Sequence, residues 1–364
     1  LKIDLLIAGA GLTGCVIAER AAAKGLTSLI VEKRNHIGGN CYDHYHPSGV
    51  LVHKYGPHLF RTHKKSIVDY LSKFTDWIEG NYRVESFVNG EYFPIPINLT
   101  TLEKWFNRSL SKEDAADLLA SLGDKDLIPK NSEDFVISRV GRELYEAFYL
   151  GYTLKQWDLH PKNLAPEVCG RIPVRLSRDW RYVNHKYQLM PKDGYTQMIQ
   201  NMINHPKIHV LLNTDFEKVK HAFHPKRTIV YSGPIDTYYH YSLGKLPWRS
   251  LKFEFKEFNQ EYKQHCLSIN YPNDYDYTRS VEIKHCTKQK HPSTVVSYEY
   301  PTSDGDPYYP IPSVQGKEMY AKYLELAQKE KGVVFAGRLA TYSYIDMDVA
   351  IERALETFEK DIDT

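Results

Sequence analysis

Near its N-terminus the chain carries Gly9-x-Gly11-x-x-Gly14 directly after an apolar run, and Glu32 closes the next apolar run 18 residues after Gly14. Glycines at this spacing let backbone amides and the first turn of a helix approach a pyrophosphate, and the acid can accept hydrogen bonds from both hydroxyls of an adenosine ribose. A 2′-phosphate would meet Glu32 as a like charge, so NADP is disfavoured. The following "EKRNHIGGNCY" repeats the device at Gly38-Gly39-Asn40, a second close backbone approach that favours FAD over NAD. Near the C-terminus, Gly337-Arg338 follows a strand-like run and Asp346 precedes a helical one, a place where the flavin end of such a cofactor could lie.

A second stretch, "HKYGPHLFRTH" (53 to 63), sets three histidines, a lysine and an arginine around a Tyr-Gly-Pro turn. None of the sixteen histidines pairs in H-E-x-x-H or finger spacing, so no metal is expected. His53 and His63 read as ordinary packing residues. Among the 28 tyrosines, a ring face combined with a hydroxyl suits a polar ligand such as a sugar nucleotide, with aromatic core packing as the competing explanation.

The elements that must position these residues follow from periodicity. Ile3 to Ala8 reads as a strand, about Thr13 to Lys24 as a helix and Leu26 to Glu32 as a second strand, a βαβ unit. From roughly 100 to 165 the pattern is helical: Ser111 and Asp114 stand at capping-box spacing before Ala115, Leu118, Leu119 and Leu122, and Ser132 opens a helix through Phe135, Val136, Val140, Leu144 and Phe148. "IHVLLNT", "RTIVYSGPID" and "GVVFAG" read as strands of the first domain returning, "RSLKFEFKEF", "CLSINYP" and "STVVSYEY" as strands of another sheet, and Met347, Ala350, Ile351, Ala354 and Phe358 as one face of a closing helix. The expected fold is α/β, a Rossmann-like FAD-binding domain with a helical insert and an antiparallel-sheet substrate domain. Boundaries are placed at 1–75, 190–245 and 315–364 for the FAD-binding domain, 100–165 for the helical domain, and 76–99, 166–189 and 246–314 for the sheet domain. The basic run "KHCTKQKH" (284 to 291) reads as a solvated hairpin.

Composition narrows the partners. Forty-seven basic against 45 acidic residues leave a formal charge of +2, which gives no global field for nucleic acid or a membrane surface. Five cysteines without a C-x-x-C pair read as reduced thiols and place the chain in the cytoplasm. No apolar run approaches the ~20 residues that span a bilayer, and the first apolar segment, with Asp4 and a glycine turn, is unlike a signal peptide.

Over essentially its whole length the chain resembles bacterial UDP-galactopyranose mutases, through "EKRNHIGGN", "KYGPHLF", "GYTLKQW", "GRIPVR", "SGPIDTYYHYSLGKLPWRSLKFE", "YTRSVE", "DPYYPIP" and "GRLATYSYIDM". The resemblance implies an isomerase that interconverts pyranose and furanose forms of a nucleotide sugar through a flavin N5–sugar adduct, supplying furanose for surface glycans. It implies FAD active in the reduced form, an external electron donor and a homodimer. Carried over by position, Arg171, Arg279, Tyr182, Tyr309 and Tyr344 match the diphosphate contacts, and Arg171 and Trp157 lie in the segment that resembles a mobile active-site loop. Tyr152 matches the residue stacked on uracil, Asn270 joins the substrate set, and His58 matches a histidine beside the flavin. The cofactor set is Gly9, Gly11, Leu12, Gly14, Glu32, Lys33, Gly39, Asn40, His58, Gly337, Arg338 and Met347, with Asp346 facing flavin and sugar.

Three residues depart from the family pattern: Pro57 where a small residue is common, Arg61 where a second histidine stands, and Ile345 in place of tyrosine. Arg61, three residues after His58, offers a charged five-donor fork, and on that ground UDP-N-acetylgalactosamine is expected as a substrate beside or instead of UDP-galactose, with Arg61 in the catalytic set. Pairing of Arg61 with a neighbouring carboxylate is the competing expectation. The other readings are a flavin amine oxidase-like oxidoreductase, a mutase for a dTDP-6-deoxyhexose, and a non-catalytic nucleotide-sugar binder.

Overall fold

A computed structural model describes residues 2–80, 82–124, 126–170 and 172–363. Arg171 lies outside the described residues.

The short apolar runs that read as buried strands assemble into a five-stranded sheet in the order Ile208–Leu211, Ser28–Val31, Leu5–Ala8, Thr228–Tyr231, Val333–Phe335. Every pairing in it is parallel. Strands covered on both faces cannot alternate polar with apolar, which explains the continuous "LLIA" and "SLIV" runs. Leu5 and Ile7 meet Cys15, Ile17 and Ala18 of the helix Leu12–Ala23 and Ile351 and Ala354 of the helix Met347–Thr357, whereas Ile3, Leu6 and Leu29 pack on the other face with Phe216 and Tyr231. The first strand begins at Leu5 rather than Ile3, because Asp4 spends its carboxylate on the Thr27 amide (2.8 Å) in the turn before the ladder.

The second sheet has seven strands, in the order Tyr309–Pro310, Trp248–Phe258, Thr294–Thr302, Arg279–Val281, Ser268–Asn270, Val84–Val88, Glu91–Ile95. Its pairings are antiparallel except for Ser268–Asn270 against Val84–Val88. Register places Ser86, Asn270, Arg279 and Glu299 directly opposite one another on successive strands, so their side chains form one row on one face. A helical segment covers part of this sheet. Ser111 and Asp114 form the expected capping box, each side chain accepting the other's amide at 3.0 Å. Asn131, not Ser132, caps Ser132–Tyr145, its side chain accepting from the Asp134 amide at 2.8 Å. Gly141 sits inside that helix at φ 81°, where a Cβ would lie 2.6 Å from the Leu122 carbonyl, and the chain continues through a wide turn, Glu146–Leu150, into Gly151–Trp157.

Two expectations need correction. The three-stranded ladder Phe60–Thr62, Tyr187–Pro191, Trp77–Glu79 runs across the boundaries placed at 75 and 190, tied by the Tyr82 hydroxyl donating to the carbonyls of Phe60 (2.9 Å) and Leu189 (2.8 Å). Such long-range pairing leaves no trace in local periodicity. The run 284 to 291 is not a solvated hairpin either. Lys284 is fully buried, and its ammonium donates to the carbonyls of Glu261 (2.8 Å), Ser293 (3.1 Å) and His291, each a backbone acceptor that burial would otherwise leave without water. Among the described residues no helix is long and apolar enough to cross a membrane.

Candidate active site

Gly9, Glu32, Ser232 and Gly337 each follow a strand of the parallel sheet, at the carboxyl edge where such sheets bind ligands. Gly9 leaves its strand at φ 105°, where a Cβ would lie 2.3 Å from Ser232 Oγ, and a Cβ on Gly14 would lie 2.1 Å from the Gly9 carbonyl. The second glycine turn crosses the first at contact, since a Cβ on Gly39 (φ 55°) would stand 2.9 Å from Gly11 Cα. Gly11 is the N-cap of Leu12–Ala23 and brings no side chain to the first amides, the arrangement that receives a pyrophosphate. The buried Glu32 accepts from the Ala10 amide through Oε2 and from the Arg34 amide through Oε1, both at 2.9 Å. Those bonds fix the carboxylate plane and leave a lone pair on each oxygen for a ribose hydroxyl. These residues fit a dinucleotide.

The remaining cofactor candidates surround this edge. Met347, first in its helix, accepts from the Cys41 thiol (3.6 Å) beside the second glycine turn. Asn40 accepts from Arg34 (3.0 Å), and Lys33 turns to Asp306 (2.9 Å). Arg338 donates to the Ile345 carbonyl (2.5 Å) and lies 5.8 and 5.4 Å from the ring centres of Tyr309 and Tyr344, so it joins the cofactor edge to the cleft. His58 Nδ1 donates to the Gly56 carbonyl (3.0 Å) while the His58 amide donates to His53 Nδ1 (3.1 Å). His53 is therefore not bland: it is buried and holds the turn that carries His58. Burial pushes both imidazoles down to about 3, so both are neutral near pH 7. His63 is exposed and stacks on His185 at 4.7 Å.

A cleft of about 850 Å³, partly continuous with solvent, opens over the row on the second sheet. Tyr152, Trp157, Tyr182, Asn270, Arg279, Tyr309 and Tyr344, which sequence reasoning scattered over almost 200 residues, all line it. Arg279 donates through Nε to Glu299 Oε2 (2.6 Å), leaving both terminal nitrogens for an anion. Burial would lower this guanidinium, but the Glu299 carboxylate, with Tyr152 and Tyr309, together offsets that and holds it well above the ordinary range. Burial in turn raises Glu299, which is completely enclosed. Tyr309 is pushed up to about 12 by burial and by Tyr344 beside it, so its phenol stays protonated and can donate. Trp157 meets the rings of Tyr309 and Tyr344, each at 6.3 Å. The end of its helix is held by the buried Arg249, which donates to the carbonyls of Gln156 (3.0 Å) and Lys155 (3.1 Å).

Arg61 and Asp346 do not line the cleft. They pair with each other at 2.8 Å, and Asp346, at the N-cap of Met347–Thr357, gives its carboxylate to Arg61 rather than to the helix amides. Ile345 is buried. Sequence reasoning missed Ser86, Gln156 and above all Glu299; an acid in the middle of the apolar strand "VVSYEY" was the available signal for the last.

Comparison with known proteins decides the family. Residues 147–344 match the family described as "UDP-galactopyranose mutase", and residues 7–74 match "NAD(P)-binding Rossmann-like domain". A protein named probable UDP-galactopyranose mutase from Klebsiella pneumoniae is 40% identical over 98% of this chain and 94% of its own. The chain belongs to the UDP-galactopyranose mutase family. As a family member it is an isomerase with a Rossmann-like dinucleotide domain. Within the similar set, a dTDP-fucopyranose mutase from Escherichia coli is 36% identical over 97% of this chain and 96% of its own. The fold matches a crystal structure of reduced UDP-galactopyranose mutase with a TM-score of 0.77 at 13% identity, covering 98% of this chain and 95% of that one.

Proposed function

We propose that this mutase interconverts UDP-galactopyranose and UDP-galactofuranose, with the nucleotide sugar in the aromatic cleft and FAD along the carboxyl edge of the parallel sheet. The observation that carries this reading is Arg279. It stands in a row of polar side chains on a rigid sheet, is fixed through Nε by a buried carboxylate, and faces a cleft ringed by tyrosines. Departure of the sugar builds charge on a diphosphate, and a preorganised guanidinium with phenol donors stabilises that charge without reorganising at the moment of reaction. Arg171 supplies the second positive charge. Tyr309 and Tyr344 donate to the phosphates, Tyr152 provides the face for the base, and Trp157 excludes water from that side. When bound, reduced FAD supplies a nucleophilic ring nitrogen; the Gly9–Gly14 turn, Glu32, Gly39 and Arg338 hold it, and neutral His58 borders it. The reading includes an external electron donor, a homodimer, and a cytoplasmic location, the last supported by five buried cysteines with no C-x-x-C pair. Its product would feed glycan assembly.

A dTDP-6-deoxyhexose is the second substrate class, favoured by the similarity to the dTDP-fucopyranose mutase. Dithionite-reduced protein incubated with UDP-, dTDP- and GDP-sugars, with furanose product separated by chromatography, tests both. Turnover of UDP-galactose by reduced but not oxidised protein is expected. Equal turnover in the two states, or no isomer from any sugar, would overturn the reading.

A further inference from the structure

We infer that Asp306 and Arg34 form a latch through which the adenosine end of the bound dinucleotide positions the nucleotide-sugar cleft. This rests on the reading above, which places the two ligands on opposite sides of the latch.

Arg34 follows the ribose acid by two residues and its amide is one of the two donors that fix Glu32. Its guanidinium then reaches in three directions: to Asn40 of the second glycine turn (3.0 Å), to Asp306 Oδ2 (3.2 Å), and over the ring of Tyr55, 4.3 Å from its centre. Tyr55 opens the Gly56-Pro57-His58 turn. Lys33 adds a bond to Asp306 Oδ1 (2.9 Å). Everything on this side belongs to the segment that grips the cofactor.

Asp306 belongs to the other sheet. It lies in the short loop between the strands Thr294–Thr302 and Tyr309–Pro310, and its carbonyl accepts from Ser250 Oγ at 2.6 Å. Three residues on is Tyr309. The loop's exit is set by the Tyr308 amide on the Arg249 carbonyl (3.0 Å), and Arg249 is also the residue whose guanidinium holds the end of the helix bearing Tyr152 and Trp157. Displacement of Asp306 is thus felt by a cleft tyrosine directly and by the cleft helix through Arg249. The pairing carboxylate is 43% exposed, and its partners Lys33 and Arg34 are 59% and 16% exposed. An interaction so solvated is weak enough to be tuned by a ligand that orders Glu32 and Arg34, and is not a fixed part of the core.

If the latch operates, occupancy of one side must change affinity on the other, and by the same factor in both directions. The measurement is the FAD dissociation constant of the holoenzyme by equilibrium dialysis, with and without saturating UDP, in wild type, Asp306→Asn and Asp306→Glu. UDP should tighten FAD by about fivefold in wild type, the low end of ordinary coupling. In Asp306→Asn the tightening should fall below about twofold while UDP still binds, and Asp306→Glu should restore part of it. UDP binding that leaves FAD affinity unmoved, or moves it equally in wild type and Asp306→Asn, would overturn the latch alone. Failure of wild type to bind UDP would overturn the nucleotide-sugar reading, and the latch with it.

Discussion

Two enclosed carboxylates, one just after a strand of the parallel sheet and one within an interior strand of the seven-stranded sheet, do opposite jobs. Glu32 is satisfied by two backbone amides and keeps its remaining lone pairs for a neutral hydroxyl ligand. Glu299 is completely buried, accepts through one oxygen from the Arg279 guanidinium, and has no hydrogen-bond partner for the other among the described residues. The first is a local device: donor, acceptor and ligand edge arise within one βαβ unit. The second is assembled across the facing antiparallel strands Arg279–Val281 and Thr294–Thr302, and the cation it holds is the one that lines the cleft. In this chain the hydroxyl-facing acid is set by backbone amides alone, whereas charge developing on a departing diphosphate would be met by a side-chain cation with a buried counter-charge.

The comparison is sharpest where charge is removed. Arg279→Ala should reduce turnover by about 10² to 10³ with flavin content retained, because an electrostatic stabiliser of developing charge is lost while the dinucleotide edge is untouched. Arg171→Ala should do the same. Near wild-type turnover at saturating substrate in either variant would remove that arginine from the machinery.

Neutralising each carboxylate in turn comes next. Glu299→Gln replaces the ion pair with Arg279 by a bond to a neutral acceptor and leaves that guanidinium without its buried counter-charge, and should cost about 1.5–3 kcal/mol of stability in denaturant titration, together with a fall in turnover. Glu32→Gln should cost about 1 kcal/mol, with the loss appearing instead as weaker flavin retention. If both variants lose flavin and turnover in the same proportion, the division of labour between the two acids is wrong.

The same contrast explains what the sequence could show. Gly9, Gly11, Gly14 and Glu32 were legible because their spacing encodes a short-range geometry, and the strands around them because burial on both faces forces continuous apolar runs. Residues 60–62, 77–79 and 187–191 were not seen to share a ladder, since pairing over more than a hundred residues depends on tertiary packing. Residue-level reading alone could not bring Ser86, Asn270, Arg279 and Glu299 into one row; resemblance picked out Asn270 and Arg279, while register revealed Glu299 behind them. Lys284 and His53 failed for one reason: each is polar, and only the fold shows the buried carbonyls or amide that make use of it.

His53 extends the comparison to pH. Its folded-state value of about 3 lies below the unfolded ~6.5, as does that of His58, so between these values the unfolded chain binds protons that the native protein refuses. Their contribution is complete above pH 6.5 and lost as pH falls, at up to about 1.4 kcal/mol per pH unit for each histidine. His53→Asn, which keeps an acceptor for the His58 amide, should reduce the fall in stability between pH 6.5 and 5, read from denaturant midpoints, by up to about 1.4 kcal/mol per pH unit. An unchanged slope would show that His53 is solvated and does not brace the turn.

The smallest effect is expected at Arg61, where the two competing expectations meet. An arginine reaching the sugar could hydrogen-bond a 2-acetamido oxygen, but in the fold Arg61 donates to Asp346 at 2.8 Å and lies outside the cleft lining. With side chains 21% and 40% exposed, the pair is a partly solvated link between the strand Phe60–Thr62 and the closing helix, worth up to about 1 kcal/mol. A histidine there is shorter and neutral at pH 7.5, so Arg61→His should loosen that link and lower the melting temperature by a few degrees at most, by the order-of-magnitude relation between stability and Tm. The ratio of kcat/KM for UDP-galactose to that for UDP-N-acetylgalactosamine, measured with reduced enzyme, should change by less than about twofold, since neither sugar loses a contact. A change of about tenfold, or 1.4 kcal/mol, would mean that the guanidinium leaves Asp346 for the sugar when substrate binds, and would restore Arg61 as a specificity residue.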